Sequence, residues 1–279
     1  LTLKKVEDDT ACRLPSTGGS TGRRHGFGPS VKGREMQRII EKLDEYLRKN
    51  DYAGAERHLR YWIADAVEHQ DLRKELSLTN ELMGLCRKLG RREDAVSAAE
   101  RALELMEMTG LADGITGATT RINAATVFKA FDMSDRSIPL FERALAIYES
   151  SEDTGKDRLG GLYNNYALAL ADMDRFAESL ELFQKALSVM ERVPEGRKEQ
   201  AITWLNMADV ISLTEGDASV GSYLEKAKDL LEDADLTRDG RYAFVCEKCA
   251  PSFGYYGMEE YARTLLARAE MIYREEQRK

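Results

Sequence analysis

No stretch of this sequence approaches the roughly 20 consecutive apolar residues that cross a bilayer, and none near its start has the apolar centre of a signal peptide. A membrane is not an expected partner. Cysteine is scarce: Cys12, Cys86, Cys246 and Cys249 are too few and too scattered across 279 residues to make a disulfide framework. A reducing, cytoplasmic setting is the expectation. Positive charge is in deficit, and a net charge of −8 with a pI near 5.2 repels a phosphate backbone. Nucleic acid is therefore not expected either, and protein or peptide partners fit better. The sequence also lacks a Gly-rich phosphate loop, a G-x-S-x-G and an H-E-x-x-H. No enzymatic activity, metal or cofactor is expected.

What is present divides into two regions. Residues 1–34 carry six glycines, Ser/Thr clusters and no helical period, the composition of a flexible tail or linker. Seven basic residues against three acidic ones make this segment +4, leaving −12 for residues 35–279. A plain disordered linker is the leading expectation, the alternative being a tail that lies against the acidic body and competes with its ligands. From Glu35 onward apolar residues recur at three- and four-residue spacing with few breakers, which predicts helices throughout and little sheet.

The helical region repeats itself. The segments 83–103, 125–145 and 167–187 superimpose, with Ala-Leu pairs beginning at Ala102, Ala144 and Ala186. The register extends to Ala227 and Ala269, and back to Trp62 in a weaker first copy, at intervals of 40, 42, 42, 41 and 42 residues. Such self-similarity predicts stacked units that each bury an apolar face on the next. Each copy reads as two helices, with segments such as Asp172 to Asp174 breaking the apolar stripe between them. Small residues (Ala167, Ala169, Ala171, Ser179, Ala186) are expected where helices approach closely. Tyr163, Tyr166, Phe176 and Phe183 are expected to fill the gaps.

Tyr163, Tyr166, Ala167, Asp174-Arg175-Phe176, Ser179, Phe183 and Ala186 together resemble the tetratricopeptide repeat pattern, over about residues 35–277. The period is longer than the usual 34 residues, as in the branch of kinesin light chains and bacterial peptide-sensing regulators. The resemblance implies an all-α, right-handed superhelical solenoid of about six antiparallel helix-turn-helix units. It also implies a concave groove, lined by the first helix of each unit, that holds a peptide or partner helix. Carried over by register, the groove residues are Asn80, Arg87, Asn123, Lys129, Asn164, Asn165, Asp172, Asn206 and Asp209.

Asn123, Asn165 and Asn206 share one register position, and Asn80 and Asn164 lie one residue earlier in their copies. A carboxamide both donates and accepts, so such a ladder can pair with an extended peptide backbone or bridge adjacent helices. Peptide contact is the leading expectation, and the carboxylates favour a neutral or basic ligand. The function expected is that of a scaffold or adaptor, the alternative being a ligand-responsive regulator whose effector segment lies elsewhere.

Two further features invite a chemical reading. Cys246 and Cys249 form a C-x-x-C with no second pair nearby, and are expected to be packing residues. Pro251 is expected to kink or shorten its helix, with Phe253, Tyr255 and Tyr256 capping the stack or forming an exposed platform.

Overall fold

The computed structural model describes residues 31–151 and 155–277, so most of the expected tail, and its expected competition with ligands, lies outside the described residues. Among the described residues there is no strand. They form twelve α-helices and one 3-10 turn, in two compact halves.

The first half runs α1 (Val31–Arg48), α2 (Tyr52–Glu68), α3 (Leu72–Lys88), α4 (Arg92–Met108), α5 (Ile115–Ala130) and α6 (Ser134–Ser150). The second runs α7 (Lys156–Asp172), α8 (Phe176–Met190), α9 (Arg197–Glu215), the 3-10 turn Asp217–Ser219, α10 (Gly221–Glu232), α11 (Gly240–Tyr255) and α12 (Glu259–Gln277). Consecutive helices pair into three hairpins in each half, matching the six copies read from the sequence. α1 begins at Val31, so its first turn, with Gly33, extends into the expected tail.

Five of the six first helices, all but α9, end by the same device. The N–H of Arg91 bonds to the carbonyl of Cys86 at 3.0 Å, that of Arg175 to Leu170 at 3.0 Å and that of Met258 to Phe253 at 2.8 Å. These bonds satisfy carbonyls that the helix itself leaves without partners. The chain must pass through the left-handed region to make them, at Gly90 (φ 68°), Asp174 (φ 57°) and Gly257 (φ 83°). The "KLGRRED" and "DMDRF" turns are thus read from sequence for a physical reason: glycine and aspartate tolerate that conformation.

Small residues mark the closest approaches. Ser179 Oγ donates to the Ala167 carbonyl at 2.8 Å, which places α8 against the backbone of α7. Phe183, Ala186 and Ala167 are all but inaccessible to solvent, as are the corresponding Phe141, Ala144 and Ala125 of the first half. Trp62, at the alanine position of the first copy, is only partly buried and takes the Lys74 ammonium over its ring at 4.4 Å. One apolar cluster of buried residues runs from Ile39 to Phe128 through α1–α5, and another from Ala201 to Ile272 through α9–α12. Pro251 does not shorten α11, which runs on to Tyr255. Phe253, two residues past the proline, is fully buried and meets the Tyr261 ring edge-on at 4.9 Å, so packing holds the last turn in place.

Candidate functional site

The first helices of successive hairpins stand side by side, with side chains bonding across about 42 residues of sequence. In the first half, Asn123 Nδ2 donates to Asn80 Oδ1 at 3.1 Å, joining α5 to α3. Asn80 Nδ2 in turn donates to the Leu76 carbonyl at 2.9 Å. In the second half Asn206 Nδ2 approaches Asn164 Oδ1 at 3.4 Å, joining α9 to α7. The same relation produces both pairs: the carboxamide of the later copy reaches one that stands a residue earlier in the copy before it. That one-residue offset, visible in the sequence, was the signal for a pair between helices. In the third and fifth copies Ile122 and Leu205 hold the accepting position.

All five asparagines are more than nine-tenths buried, and Asn165 donates to the Gly161 carbonyl of its own helix at 3.1 Å. The carboxamides therefore line the seam between first helices. Asn206 Oδ1 is the one atom among them that is buried without a hydrogen-bond partner. α5, α7 and α9 are each buried on nearly every face.

The charged members of the expected set are dispersed. Lys129 is buried in the last turn of α5, and Arg87 is half-buried in the last turn of α3. Asp172 is exposed at the last position of α7. Asp209 is buried and accepts a 2.8 Å bond from the Tyr256 hydroxyl, which ties α9 to the end of α11. Burial and the neighbouring Asp209 carboxylate push the Tyr256 hydroxyl pKa up. The anchoring of Tyr256 and the burial of Phe253 leave Tyr255 as the exposed member of that aromatic trio.

Ion pairs extend the same in-register stitching in the second half. Arg241 Nε donates to Glu199 at 2.9 Å. Lys198, 2% exposed, bonds Glu195 at 2.9 Å and the α11 cap Asp239 at 3.0 Å. The cavity nearest this region, about 370 Å³, lies between the α8–α9 loop and the end of α10 and includes Glu191, Glu195 and Asp235 in its wall. A second, open depression of about 540 Å³ borders Glu41, Asp44, Leu47 and Arg48 of α1.

Cys86, Cys246 and Cys249 are buried free thiols. Burial raises the Cys246 pKa to about 11 and that of Cys249 well above the ordinary thiol value. Both therefore stay protonated and pack as small apolar side chains. Among the described residues no group of three or more His, Cys, Asp or Glu could hold a metal ion. No helix among them is long and apolar enough to cross a membrane.

Comparison with known proteins matches this arrangement. A family model described as tetratricopeptide repeat matches residues 75–150 and 158–233, more than half of the chain. Among solved structures, NprR in complex with its cognate peptide NprX is 15% identical with a TM-score of 0.58, over 88% of this chain and 68% of that one. The apo form of RapI is 12% identical with a TM-score of 0.61, over 90% and 87%. A putative kinesin light chain from Podosopora anserina, built of nearly identical TPR-like repeats, is 14% identical with a TM-score of 0.50, over 72% and 95%. No curated protein matches the sequence significantly.

Proposed function

The chain belongs to the tetratricopeptide repeat family, and from that premise we propose that it is a non-catalytic interaction module. It takes a peptide or partner helix along the first helices of one half. The observation that carries this reading is the in-register placement of those helices, fixed by the Asn80–Asn123 and Asn164–Asn206 pairs. A row of parallel helices with repeating side chains offers an extended ligand the same set of contacts in successive copies. That NprR, on a similar fold, was solved with its cognate peptide supports the reading.

The carboxamides act in this function mainly by setting the spacing of the helices within a half; a ligand reaches Arg87 from solvent in the first half, or Asp172 in the second. With Asp172 exposed, the ligand is neutral or basic. Each hydrogen bond to such a ligand contributes only about 1 kcal/mol net, so affinity depends on several repeats acting together.

The test starts from a partner captured from the native lysate and identified, with its affinity then measured by calorimetry. Replacing Asn123, Asn165 and Asn206 together by alanine is expected to weaken binding at least tenfold. Because Asn123 and Asn206 also join helices, an Arg87→Ala/Asp172→Ala variant accompanies it, and its helical circular dichroism is expected to match that of the parent. An affinity unchanged in both variants would remove the first-helix row as the binding surface.

A further inference from the structure

The loops that join α8 to α9 and α10 to α11 enclose the cavity of about 370 Å³, which is within the size range of ligand sites. Its walls are fixed from both sides. Arg197 Nη1, at the start of α9, pairs with Asp233 Oδ2 at 2.8 Å, and Thr237 Oγ1 donates to Glu195 Oε1 at 3.0 Å, so the two loops are tied together. Asp233 Oδ1 also accepts from the Asp235 backbone N–H at 2.9 Å, which shapes the second loop. Gly196 lets the first loop fold back on itself, since a Cβ there would collide with the Met190 carbonyl.

The floor is apolar. Met190 and Leu236 are 4% and 6% exposed, Val193 and Leu230 are partly buried, and Pro194 is exposed. Three polar side chains of the wall are left over from the packing: among the described residues, the exposed Glu191 and Asp235 carboxylates and the half-buried Gln200 carboxamide meet no partner. Glu195 is already engaged by Lys198 at 2.9 Å, and Arg197, the one cation among the described wall residues, by Asp233. The cations of the flanking segments, Arg158, Arg192 and Arg238, are outside the wall and pair with neither free carboxylate.

We propose that this cavity takes a lysine or arginine side chain of a peptide partner, at a site separate from the first-helix row. The aliphatic stem lies on Met190, Leu230 and Leu236 while the ammonium or guanidinium group meets the Glu191 and Asp235 carboxylates, so that stem and head each keep the surroundings they favour. Charge selects a cation, and the floor selects its stem. The Gln200 carboxamide, which donates and accepts, pairs with a peptide group beside that side chain, a contact that a free amine cannot make. Two exposed carboxylates alone hold a cation weakly against solvent, so the buried floor and the amide give the site its selectivity.

Met190 reports on the site directly, because it lies in the floor with its methyl group against Gly160 of α7. With the full chain isotope-labelled at its methionine methyls, acetyl-Leu-Lys-Leu-amide titrated to about 10 mM is expected to shift the Met190 resonance saturably in nuclear magnetic resonance spectra. Met173, exposed at the other end of α7, is expected not to move. The same peptide with norleucine for lysine should bind at least tenfold more weakly, and so should butylamine. Glu191→Gln/Asp235→Asn removes two charges that the fold does not use, and should weaken the lysine peptide at least tenfold. Gln200→Met should weaken the peptide and leave butylamine unchanged.

A Met190 resonance that the lysine peptide and its arginine counterpart both leave in place overturns the proposal. So does equal affinity for the norleucine peptide, which would make the floor a plain apolar patch. Butylamine binding as tightly as the lysine peptide would assign the cavity to a free amine and overturn the peptide as its occupant. Unchanged affinity in Glu191→Gln/Asp235→Asn overturns it too. The Arg87→Ala/Asp172→Ala variant, which bears on the first-helix row, is expected to keep the Met190 shift, so the two readings fail separately.

Discussion

The asparagines show how one residue type serves an architecture. Asn80 and Asn123 satisfy each other where neither can reach water, and leaving one alone exposes its partner's desolvation cost. Asn123→Leu is expected to destabilise the chain by about 1–3 kcal/mol in urea unfolding. The double replacement with Asn80→Leu should cost less than the two single changes summed, because no orphaned carboxamide remains. The cysteines behave oppositely, since nothing depends on their polarity. With its pKa near 11, Cys246 stays protonated at pH 8, and Cys249 and Cys86 are equally shut in. Iodoacetamide is expected to modify none of the three in the native chain and all of them in urea, by mass spectrometry of peptides. Their position in the helix period made the core role legible. The asparagines were harder: on helices buried nearly all round, a polar residue in the seam and one facing a ligand have the same sequence signature. The sequence left both roles open with peptide contact leading, and the Asn80–Asn123 and Asn164–Asn206 bonds are what put these carboxamides in the seam.

At the scale of the element, the hairpin turns are the most legible part and also the most improvable. Asp174 occupies a left-handed position that Gly90 and Gly257 fill in other copies. Asp174→Gly should raise stability by up to about 1 kcal/mol, seen as a higher urea midpoint at unchanged slope. The last hairpin carries a charge-dependent tie that periodicity did not predict. Arg268 holds Glu232 at 2.6 and 3.0 Å, and donates to the Tyr242 hydroxyl at 3.0 Å. The guanidinium holds the Glu232 carboxyl below its ordinary pKa. Its contribution is therefore complete above the unfolded carboxylate value and is lost as pH falls through the lower folded value. Glu232→Gln should flatten the loss of stability below about pH 4.3, measured by urea midpoints taken from neutral to acid. Pro251 is expected to kink or shorten its helix because proline removes a helix bond, yet α11 runs on to Tyr255. The buried Phe253 and the Tyr256–Asp209 bond outweigh that cost, and such tertiary support is invisible in a local window.

Across the whole molecule, six hairpins, no strand among the described residues and an alanine register were all legible, because a repeat states the same packing solution several times. Local packing also confines damage. Phe141 and Phe183 are fully buried at equivalent positions of α6 and α8, and truncating either to alanine should cost about 3–5 kcal/mol. Hydrogen exchange is expected to rise most within α5 and α6 for Phe141→Ala, and within α7 and α8 for Phe183→Ala, since each unit depends mainly on its neighbours. Uniform acceleration in both variants would instead show one cooperative body.

The bonds between first helices impose a further constraint, one of phase. They link residues 43, 42, 41 and 42 positions apart in Asn80–Asn123, Asn164–Asn206, Lys198–Asp239 and Glu199–Arg241. Losing a single residue inside a helix would rotate everything beyond it by about 100°, given 3.6 residues per turn, and turn buried carboxamides away from their partners. A whole unit can be gained or lost without that rotation. The chain is thus built to vary in length by complete periods, or within the loops that join hairpins, while its helices keep a fixed count.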